Sequence, residues 1–414
     1  MKTIVLGGGI AGVTSAYYLA RDGRDVTVIE RRAGVALETS FANAGLVAPG
    51  HSYTWASPRA PKILLKSLFV EGQALHLRLK ADPHMWAWCA QFLLNCTEAR
   101  SRENTSRKVR LCRYAQHQLQ EVTAREQLEY DLISRGLLYL YRDAASFERG
   151  RAHMSILVEN GLPLETLDAA AVAVREPALA HARERIAGAI YCPSDASGDA
   201  HRFTRGLKEV CERMGVRFVF DAPIEAIEAA GDRIAGVRTS AGVIQGDDYV
   251  LALGSWSPIL ARPLGYRIAV YPVKGYSATF PCGPAHRPPE MGGVDENHLV
   301  AWARFGARLR FTATADFAGY DTRHTPADFT SMMRSARELF PQGADYTQPA
   351  HWAGLRPMTP EGTPLIGGTR HRNLFLNTGH GHMGWTMSCG TAKLLADIMA
   401  GREPELDMTG LTLK

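Results

Sequence analysis

Within its first thirty residues the chain sets out an apolar strand, a glycine-rich turn, a helical pattern, a second apolar strand and a terminal acid: TIVLGGGIAGVTSAYYLARDGRDVTVIE, residues 3–30. Gly7, Gly9 and Gly12 have the G-x-G-x-x-G spacing, and Glu30 closes the second strand. In such a unit the first glycine allows the tight turn, the second lets a pyrophosphate approach the backbone, and the third lets the helix press against its strand. The helix start then offers unpaired N–H groups and the positive end of its dipole to the phosphates. Glu30 can accept hydrogen bonds from a ribose 2′-OH, which favours an unphosphorylated ribose such as that of FAD or NAD. The fingerprint fixes a dinucleotide-binding Rossmann-like unit and leaves open which dinucleotide it holds.

The rest of the chain sets outer limits. Its 414 residues are enough for two domains. The net charge of +5 comes from scattered basic residues, which gives no concentrated face for nucleic acid. Seven cysteines, an odd number with no C-x-x-C and no zinc-like pairing with histidine, read as reduced thiols of a cytoplasmic protein. The first strand begins at Thr3, with no room for a signal peptide ahead of it, and no apolar run of about 18 residues offers a membrane span.

Helical patterns dominate from about Pro58 to Gln127, followed by a strand, GLLYLY, at 136–141 and a helix ending near Gly161. Asp199 to Met214 reads as a helix that Ser197 or Asp199 can cap. After it come VRFVF, a meander with hairpin turns, and the apolar strand YVLALG. Alternating stretches between 266 and 316 predict an antiparallel sheet, a helix is expected near 326–339, and a last helix near 384–400. The expected fold is α/β (α+β overall): a Rossmann-like cofactor-binding domain at 1–55, 197–262 and 345–414, interleaved with an antiparallel-sheet substrate-binding domain carrying helices at 56–196 and 263–344.

The segment NTGHGHMGWTMSCGTAKLLADIMAG, 377–401, repeats the logic of the opening without its sequence: strand, glycine-rich backbone, helix start. Near the N1–C2=O edge of a flavin, that positive end would stabilise the reduced ring; with no flavin there, it is a glycine turn before a packing helix. Together with ETSFANAGLVAPG (38–50), YPVKGYS (271–277) and AGLRPMTPEGTPLIGGT (353–369), the chain resembles the FAD-dependent D-amino-acid oxidase superfamily over nearly its whole length. Within it the likeness is greatest to the bacterial D-amino-acid dehydrogenase small subunits; glycine oxidase, sarcosine oxidase and proline dehydrogenase relatives match these segments less well.

The resemblance implies FAD. Gly7, Gly9, Ile10, Ala11 and Gly12 would line the pyrophosphate, Glu30 would hold the adenosine ribose, and Arg31 and Arg32 would lie beside the adenosine end. Ser40, Asn43, Ala44, Gly45 and Leu46 would run toward the ring, Ile224 would touch adenine through its backbone, and Gly254 would also border the cofactor. Gly379, His380, Gly381, Met383, Gly384, Trp385 and Thr386 would close around the isoalloxazine. Relatives that attach flavin covalently do so through a cysteine near the position of Gly354, so non-covalent FAD is expected.

By the same resemblance, a D-amino acid gives up a hydride from Cα to flavin N5, water hydrolyses the imine to a 2-oxo acid and ammonia, and the electrons pass to a quinone or another acceptor. The substrate carboxylate needs a cation, preferably a guanidinium, and Arg356 in GLRP is the first candidate, followed by Lys274 and Tyr276 in VKGY. His51 and Tyr53 can contact the substrate or gate its entry, or serve the loop alone. His382 stands where relatives commonly carry a smaller polar residue. The H-x-H pair His380/His382 has no carboxylate or cysteine nearby in sequence, so no metal centre is expected. Arg304, Arg308 and Arg310 alternate along one strand, and FTATAD stands where the family tends to have glycines. No dedicated acid–base pair is assigned, because none is required if the amine binds neutral. PKILLKSLF (61–69), with Trp86 and Trp88, is either an inward-packing helix or a contact with the inner face of the cytoplasmic membrane. Rival functions are a secondary-amine dehydrogenase or oxidase acting on proline, hydroxyproline or sarcosine, and an electron-transfer subunit of a larger complex.

Overall fold

The computed structural model describes residues 1–67, 75–78 and 81–413. A six-stranded sheet runs, in spatial order, Leu365–Gly368, Leu374–Thr378, Asp248–Leu251, Lys2–Leu6, Asp25–Ile29 and Arg217–Val219. Every neighbouring pair is parallel except the first. Its central strands are near-continuous apolar runs because both faces are covered. Val5, Val28 and Val250 pack toward the helices Ile10–Arg21, Ala200–Arg213 and Gly384–Met399. Ile4, Leu6 and Ile29 turn the other way, onto a three-stranded meander formed by Ile224–Ala230, Arg233–Thr239 and Gly242–Ile244.

The second sheet has nine strands. Its path is Ala350–Met358, Tyr271–Pro281, Arg308–Phe317, Val300–Phe305, Gly292–Asp295, Leu137–Tyr141, Gly188–Cys192 and Glu165–Asp168, with Leu75–Leu77 paired beside Arg308–Phe317. It is antiparallel apart from two pairs, Gly292–Asp295 with Leu137–Tyr141 and Leu75–Leu77 with Arg308–Phe317. One face buries Tyr276, Ala278, Phe280 and Phe311 against Met332, Ala336 and Leu339 of the helix Thr330–Leu339. The other face looks onto the first sheet. The antiparallel sheet expected at 266–316 thus extends well beyond that stretch, and Leu75–Leu77 adds a strand within a region whose sequence reads as helical. Three residues carry too little local pattern to announce themselves; pairing with a sheet edge decides their conformation.

Two local devices place the elements around the site. Asp199 caps the helix Ala200–Arg213, its carboxylate accepting from His201 and Arg202 N–H at 3.0 and 3.1 Å. In the strand Arg308–Phe317 the register slips: Lys274 faces Asp316 while Tyr276 faces Ala313, so Thr314 and Ala315 oppose Gly275 alone. This bulge holds Thr314 at φ 69°, in the left-handed region that a β-branched residue rarely adopts.

The helices Glu98–Glu126 and Gly384–Met399 cross in close contact at Gly390, where an added Cβ would stand 2.5 Å from the Cβ of Ala115. Gly390→Ala should therefore lower stability by about 1–3 kcal/mol through overpacking, although alanine is the better helix former by about 1 kcal/mol. Thermal unfolding checks the sign, and a more stable variant would refute the close contact.

Candidate active site

A cavity of about 790 Å³ is lined from both sheets. Its first wall is the turn between Lys2–Leu6 and Ile10–Arg21. Gly7 has φ 108°, and a side chain there would stand 2.7 Å from the carbonyl oxygen of Ala252. A Cβ on Gly12 would stand 1.8 Å from the carbonyl oxygen of Gly7. Those two glycines are dictated by the protein's own packing. Gly9 is different: a Cβ there would meet only Ser40 Oγ at 3.8 Å, so its small size serves whatever enters the cavity. Gly9 also caps the helix Ile10–Arg21 without any side-chain cap, and the helix start opens on the same space.

Glu30 reaches the cavity from the end of Asp25–Ile29. Its Oε2 accepts from Gly8 N–H at 2.7 Å and its Oε1 from Arg32 N–H at 2.9 Å. Burial pushes its carboxyl above the ordinary range, against the pull of those two donors. The Arg31 guanidinium lies 4.2 Å over the ring of Trp256 and pairs with Glu38 at 2.8 Å; Arg32 pairs with the same Glu38 oxygen from outside the cavity. Ser40 Oγ accepts from Ile10 N–H at 3.2 Å, and Asn43 Oδ1 accepts from Gly45 N–H at 3.0 Å, which shapes the loop toward the far end.

At that end Gly379 and Gly381 take φ 78° and 58°, and the helix Gly384–Met399 begins without a side-chain cap. Thr386 ties this helix to the loop by accepting from Ala48 N–H at 3.1 Å. All the residues proposed for the cofactor line the cavity except Gly12, Arg32, Gly379 and Thr386, which stand just behind it. Two uncapped helix starts, an acid at one end and glycine-rich backbone at the other fit the pyrophosphate, ribose and ring of FAD. None of the seven cysteines, all free thiols, lines the cavity. A side chain at Gly354 would stand 1.9 Å from the ring of Trp352, so a flavin-linking cysteine does not fit there without moving that ring.

Arg356 stands on Ala350–Met358 with part of its surface open to the cavity. Its Nη1 donates to the carbonyl of Thr314 at 2.8 Å, and among the described residues no carboxylate is within ion-pair distance. Burial lowers its pKa to about 10, so it stays charged at neutral pH. His382 also lines the cavity, its ring stacked on Trp55 at 5.0 Å and 21°, and its Nε2 is buried without a hydrogen-bond partner. Burial first, then Lys108, His51 and Arg356, hold it well below the usual histidine range, so it is neutral. His380 turns away to Thr391 Oγ1 at 3.0 Å, so the H-x-H pair diverges.

Lys274 does not line the cavity. It is buried behind the strand, donates to the carbonyl of Arg323 at 3.0 Å, and lies 3.7 Å from Asp316. Tyr276 borders the cavity while its hydroxyl donates to Asp316 at 3.1 Å, and Arg78 completes the group. The three arginines expected to alternate along one strand are divided by a turn: Arg304, on Val300–Phe305, donates to the carbonyl of Gly306, while on Arg308–Phe317 Arg308 pairs with Asp199 at 2.8 Å and Arg310 donates to the carbonyl of Asn43 at 3.1 Å.

His51 and Tyr53 line the cavity and share a partner that sequence reasoning missed. His51 Nε2 is 2.7 Å from Tyr53 Oη and 2.9 Å from Glu296 Oε1, and Tyr53 donates to Glu296 Oε2 at 3.1 Å. The turn Pro49–His51 is fastened from below by Asp195, which accepts from Gly50 N–H at 3.1 Å and from the Tyr139 hydroxyl. The Tyr139 ring stacks on His51 at 5.4 Å. Glu296 and Asp195 lie far along the chain from residues 50–53, and no local motif marks them. Trp55 and Gly275 were equally unassigned, although both sit beside quoted residues.

The profile of the FAD dependent oxidoreductase family matches residues 2–398. A protein of Mesorhizobium japonicum named D-amino acid dehydrogenase 2 is 45% identical over 412 residues, covering 99% of both chains. A D-amino acid dehydrogenase of Bradyrhizobium diazoefficiens is also 45% identical, over 100% of this chain and 98% of its own. Among solved structures, glycine oxidase of Geobacillus kaustophilus superposes with a TM-score of 0.76 at 22% identity, covering 100% of this chain and 98% of that one. L-proline dehydrogenase of P. horikoshii superposes with 0.72 at 16% identity, over 97% and 94%. At these identities the two structures speak for the fold alone.

Burial raises the Asp195 carboxyl from 3.8 to about 6, so the fold favours its protonated form. That contribution to stability is complete below about pH 3.8 and is lost as the pH rises through about 6. Relative to Asp195→Asn, the unaltered protein should gain about 2 kcal/mol between pH 7 and pH 4.5. Urea unfolding at the two pH values reads the difference, and a gap that narrows on acidification would refute it.

Proposed function

Because the chain belongs to the FAD dependent oxidoreductase family, we propose that it is a D-amino-acid dehydrogenase, converting D-amino acids to 2-oxo acids and ammonia. One observation carries the substrate class: Arg356, a cation inside the cavity, has a backbone carbonyl rather than an acid as its protein partner. Such a guanidinium suits a carboxylate, which it can grip in two parallel hydrogen bonds. FAD, when bound, supplies the acceptor for the two electrons and the proton that leave Cα. Gly7, Gly9, Ile10, Ala11, Glu30 and Arg31 would hold its nucleotide half, and the helix start at Gly384 would face its ring end.

The remaining residues orient the substrate. His382, neutral and stacked on Trp55, borders the place of the amine or side chain. His51 and Tyr53, locked by Glu296, form the opposite wall. Lys274 supports the strand from behind through Asp316, while Tyr276 borders the pocket. The division of the chain into a cofactor-binding domain (1–55, 197–262, 345–414) and a substrate-binding domain (56–196, 263–344) belongs to the same proposal.

A quinone is the proposed electron acceptor. Support comes from the surface beside the cavity, where the helices Ala60–Lys66 and Pro83–Leu94 expose Ile63, Leu65, Leu93 and Leu94 next to Arg59 and Lys62. Leu68 and Phe69, which the sequence assigned to the same apolar stretch, lie outside the described residues. Among the described residues no helix is long and apolar enough to cross a membrane, so the proposed contact is peripheral, at the inner face of the cytoplasmic membrane.

Anaerobic addition of D-alanine should bleach the flavin while L-alanine does not, and Arg356→Gln should lower kcat/KM for D-alanine by about 100-fold. Bleaching by sarcosine or L-proline with D-amino acids inert would overturn the substrate class. Sedimentation of the holoprotein with anionic lipid vesicles should weaken about tenfold or more in Leu65→Asp/Leu94→Asp. Equal binding by the variant would remove the support for a membrane-facing acceptor.

A further inference from the structure

Three features meet at the guanidinium of Arg356. The first is a close approach: a Cβ on Gly275, in the strand opposite, would stand 2.2 Å from Nη1 and 2.3 Å from both Cζ and Nη2, so the guanidinium would have to move. No side chain at 275 coexists with the guanidinium where it lies. The second is Thr314, held at φ 69° by the bulge and turning its carbonyl to Nη1 at 2.8 Å. A β-branched residue in that conformation is strained by about 1–3 kcal/mol, and such strain persists only where surrounding structure enforces it. The third is the absence of an acid among the described residues: Asp316, the nearest carboxylate along the bulged strand, is already taken by Arg78, Lys274 and Tyr276.

We propose that Gly275 and Thr314 are positioning residues that form a seat for Arg356 and thereby make the pocket selective for an α-carboxylate. Gly275 provides the floor on which the guanidinium lies. The Thr314 carbonyl takes one of its five donors, fixing its plane and leaving the others for a ligand. An aspartate or glutamate in place of that carbonyl would neutralise the cation; a backbone oxygen orients it and leaves its charge for the substrate. The bulge supplies the turn of the carbonyl, which a regular strand would direct into the ladder. The seat rests on the proposed binding of carboxylate at Arg356, and its test is independent of turnover.

The probe is propionate, a carboxylate without an amine, titrated into the holoprotein and followed by the change in the flavin absorption spectrum. Gly275→Ala should weaken propionate by about 30-fold or more, because the displaced guanidinium loses a charge-assisted pair. In an Arg356→Gln background, where the shorter side chain ends before the seat, the same Gly275→Ala change should alter the affinity by less than about 3-fold. An equal loss in both backgrounds would overturn the seat, as would failure of propionate to bind the unaltered holoprotein. Should Gly275→Ala not retain FAD, Thr314→Gly decides: it keeps the carbonyl and suits the left-handed backbone, so affinity should stay within about 3-fold. A loss above about 30-fold in Thr314→Gly would overturn the seat by showing that the side chain makes the contact. If D-amino acids fail to reduce the flavin while the propionate coupling holds, the proposed function falls and the seat stands.

Discussion

A guanidinium lining the cavity, with no acid beside it among the described residues, is the condition on which the proposed site depends. Taking a cation out of water is costly unless it is paired and hydrogen-bonded. Asp316 follows that rule, collecting Lys274, Arg78 and the Tyr276 hydroxyl, and so does Arg308, paired with Asp199. Arg310, Lys108 and Arg356 are buried on backbone or hydroxyl oxygens instead, and of these three only Arg356 lines the cavity; burial lowers its pKa to about 10. The surroundings answer only in part, with one backbone carbonyl from Thr314 and an imidazole kept neutral at His382. In the proposed reading an anionic ligand would complete the arrangement.

The same logic extends to the cofactor end. Helices Ile10–Arg21 and Gly384–Met399 both begin without side-chain caps and both open on the cavity, so their free N–H groups and dipole ends make its two poles electropositive. One pole meets a turn in which Gly7 and Gly12 are fixed by backbone contacts, while Gly9 is left with open space beside it. The other meets the left-handed glycines 379 and 381. Placing both poles over one cavity depends on the parallel neighbours Lys2–Leu6, Asp248–Leu251 and Leu374–Thr378, whose carboxyl ends all lead toward it.

This distribution explains what could be read in the sequence. The opening βαβ unit, the helix cap at Asp199 and the closing glycine turn are local patterns, each carried within a few residues, and the structure forms all three. Arg356 was accessible because GLRP is itself a recognisable segment. Lys274 shows the limit: alternation along a strand says which residues share a face, but the bulge at Thr314 and the ion pair to Asp316 decide what that face meets. Glu296 and Asp195 were out of reach, since they join His51 and Gly50 only through pairings across more than a hundred residues of chain. The left-handed Thr314 was equally hidden, because threonine in a strand pattern gives no signal of positive φ.

The charges that face the cavity also bear on the form in which an amine binds. Arg356, the helix start at Gly384 and the nearby buried Lys108 are positive or partly so, and His382 is neutral because its burial first, then Lys108, His51 and Arg356, keep a proton off it. Glu30, Glu38 and Glu225 line the cavity beside Arg31 and Ile224, away from Arg356, while behind the His51 wall Glu296 is engaged with His51 and Tyr53, and Asp195 with Gly50 and Tyr139. Such surroundings favour a carboxylate and disfavour an ammonium, lowering the pKa of an amine that sits beside them. An amino acid held by Arg356 as proposed would release its ammonium proton more readily here than in water, and present the neutral amine that oxidation at Cα needs. In the proposed reading the cation would do two things at once: grip the carboxylate, and relieve the pocket of the need for a dedicated base.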